Sequence, residues 1–215
     1  MAKRGYHQFC GVARALDLVG ERWTLLIVRD LLLGPRRYSA LLAGLPGLTT
    51  NLLASRLKAL SEHGLIERVQ LDHKVTAYAL TPLGRELEPV VLSLGRFGQR
   101  WLTAPRPEDR LDVSWAMVSL KRRYVGTRSG LLALVITGEA EKRFQVRFSP
   151  DFVDVRSGAP WEVRATARFG VLALRGMFLG GVSGAALEGT GALVVEGDRG
   201  EWEAFLEGFG ILGVG

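Results

Sequence analysis

Asn51, Ser55 and Lys58 recur at i, i+4 and i+7, the spacing that aligns side chains along one face of a helix. An amide, a hydroxyl and an ammonium on one ridge suit reading rather than catalysis: the short polar groups reach base edges and the ammonium a phosphate. Thr50, near the start of the same segment, is a further candidate. Leu53, Leu57 and Leu60 form the opposite stripe, which would seat the segment on a core. Arg56 projects closer to that apolar stripe and is expected to bridge or be buried rather than touch bases. Arg36, Arg37 and Tyr38 upstream, and His73 with Lys74 downstream, suit phosphate contacts.

Groupings for covalent or metal chemistry are missing. His7, His63 and His73 all lie in the first half, no Ser/His/Asp set is evident, and no Cys/His cluster has metal-ligand spacing. No cofactor, no metal and no enzymatic activity are therefore expected. A methyltransferase would need a glycine-rich turn after its first strand, whereas Gly189-Thr-Gly191 precedes one. Cys10 is the single cysteine, so no internal disulfide can form, which fits a reducing cytoplasm. Lys3, Arg4, His7 and Arg14 lie near it in sequence and could lower its pKa for redox sensing; a small buried hydrophobe is the other reading.

The elements that must position these residues follow from periodicity. Cys10 to Val19 and Glu21 to Leu33 read as helices, the second with Trp23, Leu26, Ile27 and Leu31 on its inner face. Gly34-Pro35 stops it, Ser39 can cap a short helix through Leu42, and Thr49 can cap the helix carrying the polar ridge, which ends at His63-Gly64. Leu65 to Leu71 and Val75 to Leu80 flank Asp72-His73-Lys74 as a β-hairpin. Thr81-Pro82 opens a helix running to about Leu102, with Leu83, Leu87, Val90, Leu94, Phe97 and Trp101 on one side. A helix of about 20 residues spans about 30 Å, so its apolar face needs cover from a second copy or from the second half of the chain. Pro89 should kink it.

Charge divides the chain in the same place. Residues 1 to 103 hold 14 Lys and Arg against 8 Asp and Glu, and residues 104 to 215 hold 14 against 14, so the whole +6 excess sits in the first half. A basic half joined to a neutral one suggests that only the first meets a polyanion, with nucleic acid the commonest candidate. Residues 104 to 110, with two prolines at 105 and 107, read as a linker between a domain at 1 to 103 and a domain at 111 to 215. The longest charge-free apolar run is broken by glycines, so no membrane span is expected.

Helix, helix, capped helix, hairpin is the order of a winged helix-turn-helix. Cys10 through Leu102 resembles a regulator of the HxlR type, a bacterial winged-helix group. The residues carrying the resemblance are Cys10, Leu18-Val-Gly-Glu-Arg-Trp-Thr24, Leu32-Leu-Gly-Pro-Arg-Arg-Tyr-Ser39, Leu53-Ala-Ser-Arg-Leu-Lys58, His63-Gly-Leu-Ile66 and Tyr78-Ala-Leu-Thr-Pro-Leu-Gly84. Gly11 departs from the proline usual after the cysteine, and Asp72-His73-Lys74 replaces a more proline-rich wing. The resemblance implies a transcriptional regulator that binds a pseudo-palindromic operator as a homodimer built partly on terminal helices. It also implies that Cys10 stands where some relatives sense oxidants or electrophiles.

The second half changes character. Leu111 to Lys121 reads as a helix, then strands at Leu131 to Thr137, Phe144 to Phe148, Phe152 to Val155 and Trp161 to Ala167, a helix at Phe169 to Met177, a strand at Gly191 to Glu196 and a closing helix at Arg199 to Phe209. The segment from Trp161 to Phe209 resembles the sterol carrier protein type 2 family of lipid-binding domains. Carrying this likeness are Trp161-Glu-Val-Arg-Ala-Thr-Ala167, Val171-Leu-Ala-Leu-Arg-Gly176, Ala185-Ala-Leu-Glu-Gly189, Gly191-Ala-Leu-Val-Val-Glu-Gly-Asp198, Trp202, Phe205 and Phe209. It implies an α+β fold, a curved and largely antiparallel sheet covered by helices, and a hydrophobic lipid-like effector. Leu134, Phe144, Phe148 and Trp161 from the sheet, with Phe178, Leu187, Phe205 and Phe209 from the helices, would line its pocket; the same residues could equally fill a solid core.

Overall fold

The structure, a computed structural model, describes residues 5–72, 75–102, 106, 108–110, 112–158, 162–179 and 181–211. The chain divides into two compact units, Met1–Asp112 and Val113–Gly215, so the division falls two residues beyond the expected linker. Among the described residues no helix is long and apolar enough to cross a membrane.

The first unit opens with α1 (Gly11–Val19) and α2 (Thr24–Leu31). α2 is shorter than expected because Trp23 takes a left-handed backbone, φ 79°, and the helix starts only after it. Thr24, Ile27, Val28 and Leu31 then fall at i, i+3, i+4 and i+7 and are all buried. Leu26 lies about 100° off that stripe and is exposed, which corrects its expected inward position. α3 (Tyr38–Gly44) begins one residue before Ser39, so Arg37 rather than Ser39 stands at its N-cap. Gly47 makes the turn that follows at φ +82°, a conformation that favours glycine. α4 (Thr50–Glu62) is capped as expected: the Thr49 hydroxyl accepts from the Leu52 N–H at 3.4 Å.

β1 (Ile66–Asp72) and β2 (Val75–Leu80) form the antiparallel hairpin. Arg36 adds an isolated antiparallel bridge: its N–H donates to the Tyr78 carbonyl at 2.9 Å and its carbonyl accepts from the Tyr78 N–H at 2.8 Å, which fastens the hairpin to the segment before α3. The single long helix expected from Thr81 to Leu102 is in fact α5 (Pro82–Arg85), α6 (Glu88–Gly98) and a 3-10 turn, Gln99–Trp101. Pro89 is the cause. It lacks an N–H and its ring crowds the carbonyl four residues back, so the chain breaks at Glu86-Leu87 and Pro89 enters the first turn of a new helix. Gly84 lets α5 close on the hairpin: a Cβ there would lie 1.9 Å from the Leu65 carbonyl oxygen. α6 packs on α2 but leaves its own apolar stripe uncovered, with Phe97 61% and Trp101 65% exposed.

The second unit starts with α7 (Val113–Leu120) and builds a five-stranded sheet from β3 (Gly130–Thr137), β4 (Lys142–Ser149), β5 (Phe152–Ser157), β6 (Ala165–Gly170) and β7 (Leu193–Gly197). Strand order is β5-β4-β3-β6-β7, antiparallel except for the β3–β6 pair. The sixth strand starts later than the alternation suggested, and Phe169 belongs to it rather than to the next helix. Its phase is nevertheless the expected one: Ala165, Ala167 and Phe169 face inward beside Leu132, Leu134 and Ile136. α8 (Val171–Leu179), α9 (Gly184–Gly189) and α10 (Arg199–Gly208) complete the unit. α9 escaped the periodicity reading because six residues carry no measurable pattern; the Ser183 hydroxyl caps it, accepting from Ala186 N–H at 3.1 Å. α10 lies on the sheet and supplies Trp202, Phe205 and Leu206 to the core.

Candidate nucleic-acid interface

α4 is held by its apolar stripe. Leu53, Leu57 and Leu60 are at most 2% exposed, so the helix cannot rotate without uncovering three leucines. Thr50, Asn51, Ser55 and Lys58 consequently point outward, all four exposed. Lys58 makes only a loose i, i+4 contact with Glu62, 3.8 Å with both side chains largely in water, so its charge remains available. Arg56 takes the bridging role: its Nε donates to the Arg22 carbonyl at 3.2 Å and its Nη2 meets Glu21 at 2.7 Å, tying α4 to the approach to α2.

The upstream basic cluster separates into three roles. Arg37 is exposed and free to meet a phosphate. Tyr38 is not, because its hydroxyl donates to the Thr50 carbonyl at 2.7 Å. That bond fixes the start of α4 against α3, which makes Tyr38 a positioning residue. Arg36 is half-buried, its backbone belongs to the hairpin, and its charge acts on the Asp30 carboxylate. The Tyr38 hydroxyl, its one hydrogen given to the Thr50 carbonyl, acts as structural support, while the Arg36 backbone bridge leaves the Arg36 guanidinium a candidate for phosphate contact. His73 and Lys74 lie outside the described residues.

Asp30 was not singled out from the sequence. It is 2% exposed at the end of α2, its Oδ1 accepts from Arg29 Nε at 2.9 Å, and its Oδ2 has no hydrogen-bond partner among the described residues. Burial raises its pKa, opposed by the Arg29 and Arg36 charges. A Cβ on Gly44 would sit 3.3 Å from Oδ2, so the carboxylate lies directly under the end of α3. The legible signal was an acid inside the apolar run Leu25-Leu-Ile-Val-Arg-Asp-Leu31.

Cys10 is exposed, which removes the buried-hydrophobe reading. It stands at the N-cap of α1, where the outward-pointing Ala13 and Val12 N–H groups favour the thiolate and lower its pKa, although its side chain makes no cap hydrogen bond. Among the described residues the cause is the helix start; Lys3 and Arg4 lie outside them.

The residues expected around a lipid pocket are partly brought together, as packing. Leu134, Phe144, Phe148 and Phe205 are at most 1% exposed and Phe209 is buried beside them. The Phe148, Phe205 and Phe209 rings meet one another at centroid distances of 6.2, 5.8 and 4.7 Å, and Tyr124 lies tilted against Phe148 at 5.3 Å. These rings occupy the space a ligand was expected to take. Phe178 and Leu187 are only half-buried, and Phe178 lies under the Arg123 guanidinium at 5.7 Å. Trp161 lies outside the described residues. Among the described residues no group of three or more His, Cys, Asp or Glu is placed to hold a metal ion.

Comparison with known proteins gives a consistent setting for this helix. Residues 18–106 match the model of the HxlR-like helix-turn-helix family. The chain is 38% identical over 96 residues to an HTH-type transcriptional regulator of Synechocystis sp., covering 43% of this chain and 70% of that one. It is 45% identical over 106 residues to an HTH-type transcriptional regulator of Mycobacterium bovis, covering 47% of this chain and 65% of that one. Among solved structures, the reduced form of the transcriptional regulator YodB from B. subtilis is 27% identical, with 46% of this chain and 100% of that one covered at a TM-score of 0.39.

Proposed function

The chain belongs to the HxlR-like helix-turn-helix family, and from that premise we propose that it is a transcriptional regulator binding a pseudo-palindromic DNA operator as a homodimer. The observation that carries this is the outward ridge of Thr50, Asn51, Ser55 and Lys58 on a helix locked by three buried leucines. In each half-site α4 lies in the major groove, Asn51 and Ser55 meet base edges, and Lys58 and Arg37 meet phosphates. His73 and Lys74 at the hairpin tip are proposed backbone contacts. The exposed stripe of Leu94, Phe97 and Trp101 is the surface that joins the two copies. As a DNA-binding regulator the protein works in the cytoplasm, without enzymatic activity and without a cofactor.

The test uses a duplex selected by the wild type from random sequence. Asn51→Ala is expected to cost about 1–3 kcal/mol of binding and to relax preference at one base position. Lys58→Ala should weaken all sequences alike and reduce the slope of log affinity against log salt by about 1. Fluorescence anisotropy at several salt concentrations measures both. Wild-type affinity and slope in both variants would remove α4 from the groove.

A hydrophobic effector in the second unit draws no support from the packing, since it would have to displace the Phe148, Phe205 and Phe209 stack. A response to oxidants or electrophiles has a specific observation behind it: an exposed thiol at the N-cap of α1, a position that favours the thiolate. Under this second reading peroxide changes operator affinity of the wild type and leaves Cys10→Ser unaffected, while the reduced proteins bind alike. An equal peroxide effect on both proteins would exclude it.

A further inference from the structure

The second unit's sheet has a face that the aromatic core does not use. Phe144, Val146 and Phe148 turn one way along β4, so Gln145 and Arg147 turn the other. On that side lies a cavity of about 310 Å³ lined by Leu131, Gln145, Arg147, Asp154, Arg156 and Glu162. Strand register assembles it: Leu131 stands opposite Arg147, Arg147 opposite Asp154, and Gln145 opposite Arg156.

The charges in this cavity are unevenly matched. Asp154 accepts from Arg156 Nε at 2.7 Å and faces the Lys121 ammonium at 3.7 Å, a side chain only 3% exposed. Its carboxylate is thus already shared between two cations. Arg147, although directly across the strand pair from Asp154, has no carboxylate or hydrogen-bond acceptor among the described residues. A guanidinium presents a planar fork that matches two oxygens of one anion. At the rim, Glu162 holds φ 23°, a left-handed backbone that residues with side chains seldom adopt, and strain of this kind concentrates at ligand sites.

We propose that this cavity binds a small-molecule oxyanion, a carboxylate or a phosphate, held by both arms of the Arg147 guanidinium with Leu131 beneath it. The Lys121, Asp154 and Arg156 chain fixes the neighbouring guanidinium and prevents Asp154 from neutralising Arg147. Glu162 and Asp154 put negative charge at the edges of the site, which repels the extended backbone of a nucleic acid and leaves room for one compact anion. The site is separate from α4, and its failure would leave the DNA-binding reading untouched.

Isothermal titration of the full chain with sodium benzoate and, separately, inorganic phosphate, against sodium chloride at equal ionic strength, tests this. Saturable binding of at least one of them at one site per chain is expected. Benzoate alone, phosphate alone or both identify the head group. Arg147→Gln should weaken the binding at least tenfold, while Arg175→Gln, on the exposed side of α8, should leave it unchanged. Arg147→Lys keeps the charge but not the fork and should also weaken it, which covers the case of a glutamine variant that folds poorly. No saturable binding of either anion, or equal binding by wild type and both Arg147 variants, overturns the proposal. So does loss of duplex affinity in Arg147→Gln with neither anion bound, which would make the face a DNA contact.

Discussion

On the proposed dimer, Phe97→Glu is expected to give a monomer with operator affinity lowered about 100-fold or more, the scale on which two linked contacts exceed one. Phe97 and Trp101 meet in a tilted contact at 5.0 Å on the open side of α6 and its 3-10 extension, and Leu94 and Val90 continue the stripe one and two turns back. An apolar groove of about 490 Å³ runs along Pro89, Val90, Ser93, Leu94 and Phe97. An unpaired aromatic strip of this extent belongs against another surface. A carboxylate in its middle would have to be buried without a partner on dimerisation, so the dimer dissociates before that cost is met. Sedimentation velocity reads the oligomeric state, and anisotropy on the selected duplex reads the affinity. A variant that remains dimeric with unchanged affinity places the interface elsewhere.

The second large effect lies in the other unit. Phe205→Ala is expected to cost about 3–5 kcal/mol of stability, because the ring is wholly buried and touches Phe148, Trp202 and Phe209. The cost is a cavity cost: three other rings are braced on the one removed, and a strand-anchored neighbour such as Phe148 has little room to collapse. Phe152→Ala on the edge strand β5, half in water, serves as the comparison and should cost well under half as much. Urea unfolding of the full chain followed by tryptophan fluorescence, with Trp23 and Trp101 of the first unit replaced by phenylalanine in every protein compared, reports on this unit. Equal midpoints for the two variants would mean that the aromatic cluster lines an open pocket after all.

The two predictions separate what each half of the chain made legible. In the first unit, local rules carried most of the answer. The Leu53, Leu57 and Leu60 stripe sets which way α4 faces, Thr49 sets where it begins, and the two strand runs around residues 72 to 74 can only meet as a hairpin. These are contacts between near neighbours, and their patterns repeat along the chain. Failures came where one residue competes with a pattern: Pro89 cut a periodic run that otherwise reads as one helix, and the left-handed Trp23 delayed α2.

Tertiary structure alone decided which candidate side chains are engaged by the protein itself. Arg36, Arg37 and Tyr38 are alike as phosphate candidates in the sequence, yet the Tyr38 hydroxyl is spent on Thr50 and the Arg36 backbone is stitched to Tyr78, whereas Arg37 stands exposed. Asp30 became visible only when α2 and α3 closed over it. In the second unit the same residue list described a lined tunnel or a filled core, since both require apolar groups on one face of a sheet. Periodicity records which side of an element a residue occupies; how far the opposite layer approaches depends on side chains distant in sequence. Here Phe205 and Phe209 come from some sixty residues beyond Phe148 and close that distance to ring contact.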